Sequence, residues 1–112
     1  MIAKKFKVPS QDIPYILKNG EERFSGLFIV RIIKNNAGFS RYRVIVSRKM
    51  DRKAVGRNRL RRQVYEAIRM RHQNTGHTGN NDLILIPKKI ILGKKYVDIE
   101  TDISHILGNL NK

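Results

Sequence analysis

Residues 27–71, LFIVRIIKNNAGFSRYRVIVSRKMDRKAVGRNRLRRQVYEAIRMR, decide the fold. Two runs rich in β-branched and aromatic residues, 27–33 and 42–47, flank Asn35-Asn36-Ala37-Gly38, a turn-forming cluster. In the first run Phe28, Val30 and Ile32 share one face, and Leu27, Ile29, Arg31 and Ile33 the other. In the second, Tyr42, Val44 and Val46 alternate with Arg43, Ile45 and Ser47. Two such runs across a short turn predict an antiparallel hairpin. Its apolar face, Tyr42 included, is expected in the core; the opposite face would offer Arg31 and Arg43 to a ligand. Residues 53–71 then change period. Leu60, Val64, Ala67 and Ile68 recur at i, i+4, i+7 and i+8, which predicts a long amphipathic helix.

Upstream, residues 1–9 read as a basic, irregular arm ending at Pro9. Asp12 is placed to cap a short helix, with Pro14 in its first turn, Gly20 at its end, and an apolar face of Ile13, Ile16 and Leu17. Downstream, a polar loop rich in Gly and Asn leads to a short buried strand, Leu83-Ile84-Leu85-Ile86, ended by Pro87. Ile103, Ile106, Leu107 and Leu110 suggest a last amphipathic helix starting near Thr101. There is no internal repeat, and residues 1–112 read as one domain. Strand, strand, long helix, strand, helix is an α+β pattern with a mixed sheet, whose strand order the periodicity leaves open.

Charge narrows the function. Twenty-four Lys and Arg against 9 Asp and Glu give a formal net charge of +15. A domain this basic repels itself unless a polyanion relieves the repulsion, and nucleic acid is the first candidate. The charge concentrates between Arg48 and Arg71, where ten Lys and Arg face only Asp51 and Glu66. On a helical wheel Asn58, Arg61, Arg62, Tyr65 and Arg69 fall on one stripe away from the apolar face, with Arg57 and Arg59 at the helix start. Guanidinium groups grip phosphate bidentately, and a helix N-terminus adds free N–H donors. A solvated face is the plain alternative, but i, i+4 partners of opposite sign are nearly absent.

Lys53-Ala54-Val55-Gly56-Arg57-Asn58-Arg59-Leu60-Arg61-Arg62 resembles the RNR signature of the bacterial ribonuclease P protein family. The order of other segments agrees: residues 12–20 resemble the family's first helix, Val46-Ser47-Arg48-Lys49 the end of its third strand, and residues 82–88 its last strand. The resemblance implies an αβββαβα sandwich with a mixed sheet and a left-handed βαβ crossover, like the second domain of a small-subunit ribosomal protein. A short extra strand would fall near Arg23 to Ser25. It implies a partner, the catalytic RNA of ribonuclease P, and a substrate, precursor tRNA, from which the holoenzyme removes the 5′ leader. The chemistry would belong to the RNA and to Mg2+ held mainly by RNA, in the cytoplasm, with no membrane and no obligatory protein partner. Lys53, Arg57, Asn58, Arg59, Arg61, Arg62, Tyr65 and Arg69 would meet RNA. Ile13, Leu17, Arg31, Arg43 and Ser47 would line a leader cleft between the first helix and the sheet.

The chain departs from that pattern at the cleft. Aliphatic Ile13 and Leu17 replace aromatics, Arg31 replaces a strand aromatic, Arg43 stands where a small residue is common, and Tyr65 where an arginine is. These changes suggest a cleft that holds the leader more by phosphate charge than by stacking. Composition alone favours a structural RNA-binding protein of ribosomal type, and only the ordered match of segments favours the ribonucleoprotein enzyme. A DNA-reading helix module is disfavoured, since no second helix precedes the basic one at a short turn.

No residue is proposed as catalytic. There is no cysteine, and His72, His77 and His105 lack metal-ligand spacing. Asp98, Glu100 and Asp102 read as a solvated helix start rather than a cation site.

Overall fold

Asn81–Pro87 organises the sheet. Six of its seven residues are buried, and Leu83, Ile84 and Leu85 are fully inaccessible. A strand apolar on both faces has to lie inside a sheet, covered above and below. In the computed structural model, which describes residues 3–75 and 79–109, it does. The elements are α1 (Ile13–Asn19), β1 (Glu21–Phe24), β2 (Phe28–Lys34), β3 (Arg41–Val44), α2 (Ala54–Thr75), β4 (Asn81–Pro87) and α3 (Tyr96–Gly108), with 3-10 turns at Lys4–Phe6, Ser10–Asp12 and Lys89–Gly93. The sheet order is β1-β2-β4-β3, the αβββαβα arrangement of a mixed α+β fold.

The expected hairpin between β2 and β3 does not form. β4 stands between them, antiparallel to β2 (Phe28 opposite Pro87, Lys34 opposite Asn81) and parallel to β3 (Arg41 opposite Asp82, Val44 opposite Leu85). The turn residues between the two runs invite a hairpin. β4, apolar on both faces from Leu83 to Ile86, gains more by occupying the centre, where both its edges and both its faces are satisfied. Parallel β3 and β4 are joined through α2, as a parallel pair requires a crossover. β1 pairs with β2 at the other edge, Glu21 opposite Ile32. Its sequence, Glu-Glu-Arg-Phe, has no apolar alternation to announce a strand.

β3 is shorter than the expected 42–47, although the Ile45 N–H still reaches the Leu85 carbonyl at 3.0 Å. Arg41 and Asp82, opposite in register, form a two-pronged ion pair (2.8 and 2.7 Å), and the Asn35 amide adds a bond to the same carboxylate at 2.7 Å. Asp82 is buried, so these donors satisfy a carboxylate that burial would otherwise strand.

One face of the sheet carries Phe28, Val30, Tyr42, Val44, Leu83 and Leu85 into a core closed by α2 and α3. The other face holds a smaller cluster of Val8, Ile16 and Ile84, flanked by Ile13, Ile33, Ile45 and Ile86. α1 therefore covers the middle of the face that sequence patterning leaves open.

Three local expectations change. Asp12 precedes α1 but makes no side-chain cap; its carboxylate lies 4.0 Å from Arg41. The arm is not irregular, since Val8 is fully buried and its N–H bonds the Tyr42 carbonyl at 3.0 Å, fastening the arm to β3. α3 begins at Tyr96, where Asp98 reaches back to accept the Lys95 N–H at 3.0 Å. Leu110 and His77 lie outside the described residues. Gly20 ends α1 as expected, through close approach: a Cβ there would stand 2.6 Å from the Ile16 carbonyl oxygen.

Candidate nucleic-acid interface

α2 is entered through a braced turn. Asp51 accepts the Lys53 N–H at 2.9 Å and lies so close to Gly56 that a Cβ there would come within 1.8 Å of its carboxylate. Arg57 donates from Nη1 to the Asp51 and Arg52 carbonyls, both at 2.9 Å. Arg57 thus ties the incoming loop to the helix, and part of its donor capacity is already spent. Lys53, Asn58, Arg59 and Arg62 are exposed. Arg61 donates to the Asn58 side-chain oxygen, which turns the Asn58 amide donors outward. Among the described residues no carboxylate pairs with Arg59, Arg61 or Arg62. This is an open cationic face at the first turns of a 22-residue helix.

Two members of the expected stripe stand elsewhere. Tyr65 is 3% exposed, and its hydroxyl accepts the Val44 N–H at 3.0 Å. The buried arc of α2 is wider than its aliphatic residues indicate. α3 packs along one flank, and the arm lies on the other, with Lys7 Nζ 5.0 Å from the Tyr65 ring centre. Arg69 is on the surface but engaged by Glu66, at 3.0 Å from Nε and 2.5 Å from Nη2. That bond is also the main reason the Glu66 carboxyl is held below the usual carboxylate range.

The expected cleft is divided. Arg31 and Arg43 both stand opposite Ile84, one on each side of β4, so two strand spacings, roughly 10 Å, separate their backbones. Ile84 between them is sealed by Ile16 and Val8. Arg31 pairs with Glu22 at 2.7 Å on the β1 side. Arg43 turns the other way and donates to the Val8 carbonyl and the Ser10 hydroxyl, both at 2.9 Å. The single basic floor expected of these two arginines is therefore absent, because β2 and β3 are not neighbours. Ile13 is half-buried against the smaller cluster, Leu17 is 36% exposed beside exposed Tyr15, and Ser47 is exposed beyond β3. Arg43 instead borders a groove of about 560 Å³ with Lys4, Lys7, Val8, Pro9 and Ser10. Its buried Nε has no hydrogen-bond partner among the described residues.

The sequence profile of ribonuclease P matches residues 8–111. The chain belongs to the ribonuclease P protein family. It is 28% identical over 92 residues to the ribonuclease P protein component of Clostridium kluyveri, covering 82% of this chain and 81% of that one. A shorter match, 36% identical over 80 residues, is to the corresponding protein of a Thermotoga species, covering 70% of this chain and 65% of that one. The solved ribonuclease P protein of Thermotoga maritima superposes with a TM-score of 0.81 at 25% identity, covering 93% of this chain and 96% of that one. The Staphylococcus aureus protein has the same fold, with a TM-score of 0.73 at 24% identity.

Within this ribonuclease P family member, sequence reasoning missed the arm as a wall of the Arg43 groove. The signal was present: Lys5 and Lys7 alternate with Phe6 and Val8, which seat the arm. It also missed Asp102, which accepts the Ser25 hydroxyl at 2.7 Å and the Leu27 N–H at 3.0 Å, binding α3 to the β1–β2 turn. Tyr42, expected in the core, is fully buried, with its hydroxyl 2.7 Å from His72 Nε2. No cluster of three or more metal-ligating side chains occurs among the described residues, and no helix there is long and apolar enough to cross a membrane.

Proposed function

We propose that this chain is the protein part of a ribonucleoprotein endoribonuclease and acts by holding RNA. The open cationic face of α2 carries the proposal: among the described residues, Asn58, Arg59, Arg61 and Arg62, with Lys53, have no carboxylate partner. They would bind phosphates of the catalytic RNA of ribonuclease P, with the α2 N-terminus adding N–H donors. The Arg43 groove would take the single-stranded 5′ leader of precursor tRNA, mainly by its phosphates. Lys4, Lys7 and Arg43 supply charge there, and no aromatic ring lines it. Arg31, paired with Glu22, contributes less. The RNA would perform the cleavage with Mg2+ that it largely binds itself, leaving a 5′ phosphate on the tRNA.

Reconstitution tests this. RNA-free protein should not cleave precursor tRNA in Mg2+, and adding the catalytic RNA should give cleavage at one 5′ site. Lys7→Ser with Arg43→Ser should weaken precursor tRNA while leaving mature tRNA unchanged. The loss should depend little on leader sequence, since phosphates carry no base identity. Site-specific cleavage by the protein alone would refute the division of labour. Equal losses for precursor and mature tRNA would move the groove from leader binding to contact with the catalytic RNA.

A further inference from the structure

The Arg43 groove lies at the β3 edge of the sheet, and an exposed ring stands at the other edge, on β1. Phe24 is 66% exposed, although water is an unfavourable setting for a phenyl ring. Strand register fixes its face. Phe24 stands opposite Ile29, and Ile29 opposite Ile86, so all three share the face of Ile84 and α1. Lys88 Nζ lies 5.7 Å from the Phe24 ring centre and donates to the Ser25 carbonyl at 2.7 Å, which holds it there. A cation thus occupies one side of the ring, and the other side stands in solvent. Half-buried Ile45, Ile86 and Ile29 form an apolar shelf from beside Arg43 towards the ring. Three strand spacings, roughly 14 Å, separate β3 from β1. Glu22, two residues back on the same face of β1, is already paired with Arg31 at 2.7 Å.

We infer that Phe24 is a stacking platform for one base of the single-stranded 5′ leader. This rests on the leader-binding reading above and adds a contact that phosphate charge cannot supply. An unpaired base exposes both its π faces, and an aromatic ring in a basic setting takes one of them whatever the base. Lys88 adds a positive charge beside the ring for the phosphate that accompanies the base. The leader fits this place better than the catalytic RNA does. Phe24 shares its sheet face with Arg43, whereas α2 and its cationic surface lie across the opposite face. A strand held by its phosphates at Lys7 and Arg43 has the isoleucine shelf along its path and the ring at the far edge.

The test uses the holoenzyme reconstituted from the full chain and the catalytic RNA. It reads the enzyme concentration that half-saturates single-turnover cleavage of precursor tRNA, with mature tRNA as competitor. Phe24→Ala should raise that concentration about fivefold or more, as loss of one stacked base implies, and leave inhibition by mature tRNA unchanged. Its salt dependence should stay as it is, because stacking releases no counterions, in contrast to Lys7→Ser with Arg43→Ser. Phe24→Leu, apolar but without a π face, should behave like Phe24→Ala. Phe24→Trp should restore affinity. Since the chain has no tryptophan of its own, that variant should also report the contact, by fluorescence quenching with precursor tRNA and not with mature tRNA. With unaltered protein, abasic sites placed one at a time along the leader should reveal one position whose loss matches that of Phe24→Ala and adds nothing in that variant. Unchanged half-saturation in Phe24→Ala, full affinity in Phe24→Leu, or a leader with no base-sensitive position overturns the inference and leaves phosphate-based leader binding intact. Equal losses for precursor and mature tRNA also overturn it, and assign the ring to the body of the tRNA. Reconstitution that gives no cleavage refutes the reading on which the inference rests.

Discussion

Asp102 shows what a residue's neighbours in sequence leave unsaid. On α3 it follows Asp98 and Glu100 at the spacing of a solvated helix start, and only Asp98 behaves as one, by capping. Asp102 bonds Ser25 and Leu27, partners more than seventy positions away that no local pattern reveals. Asp102→Ala should therefore cost about 1–3 kcal/mol, because it strands a part-buried N–H and a hydroxyl; urea denaturation measures it. The same reasoning divides the residues expected at the RNA surface. Tyr65→Phe should destabilise by a similar ~1–3 kcal/mol by orphaning the buried Val44 N–H. It should leave the salt dependence of RNA binding unchanged. Arg57→Ala should cost about 1 kcal/mol of stability through loss of its two carbonyl bonds, in contrast to the free arginines beside it. Glu66 offers a residue-level pH signature. Arg69 lowers its pKa, so the pair is intact through the ordinary carboxylate range and is lost only as pH falls through the lower folded-state value. In a carbon-detected NMR titration, Arg69→Ala should move the Glu66 midpoint upward.

At the scale of the element, α2 was the most legible part of the chain. Its aliphatic spacing and dense positive charge are local properties, and the helix extends from Ala54 to Thr75, one residue later and a turn longer than its pattern predicts. What the wheel could not supply was the width of the buried arc, which depends on α3 and the arm. The surviving open face gives a sharp expectation. Arg59→Ala and Arg62→Ala should each reduce the slope of log affinity against log salt by ~0.7 to ~0.9, with circular dichroism unchanged. β1 lies at the opposite extreme: four largely exposed residues carry no hydrophobic period, and only the resemblance placed a strand there. α1 was legible as a helix, but its role was not. Ile16, rather than Ile13 or Leu17, is the residue it buries, and it does so over Ile84.

For the whole molecule, class and composition were readable while strand order was not, since alternation identifies a strand without naming its neighbour. The +15 charge predicts that raising the concentration of a weakly binding salt from very low values should raise the melting temperature, as self-repulsion is screened. Ile84→Ala should cost about 2–5 kcal/mol, because it opens a cavity between the sheet and α1 at a fully buried site. The position of β4 has a consequence in time. β2 and β3 are synthesised before β4, yet neither is the other's partner; β2 has β1 along one edge, and both β2 and β3 keep an edge open for a strand that begins at Asn81. A nascent chain halted before that point can hold only the β1–β2 pair, with one edge of β2 and one edge of β3 unsatisfied beside a strongly basic helix, and it cannot join β3 to the sheet. Acquisition of structure on the ribosome should therefore be abrupt, with protease resistance and arrest-release force appearing only once Pro87 has cleared the exit tunnel.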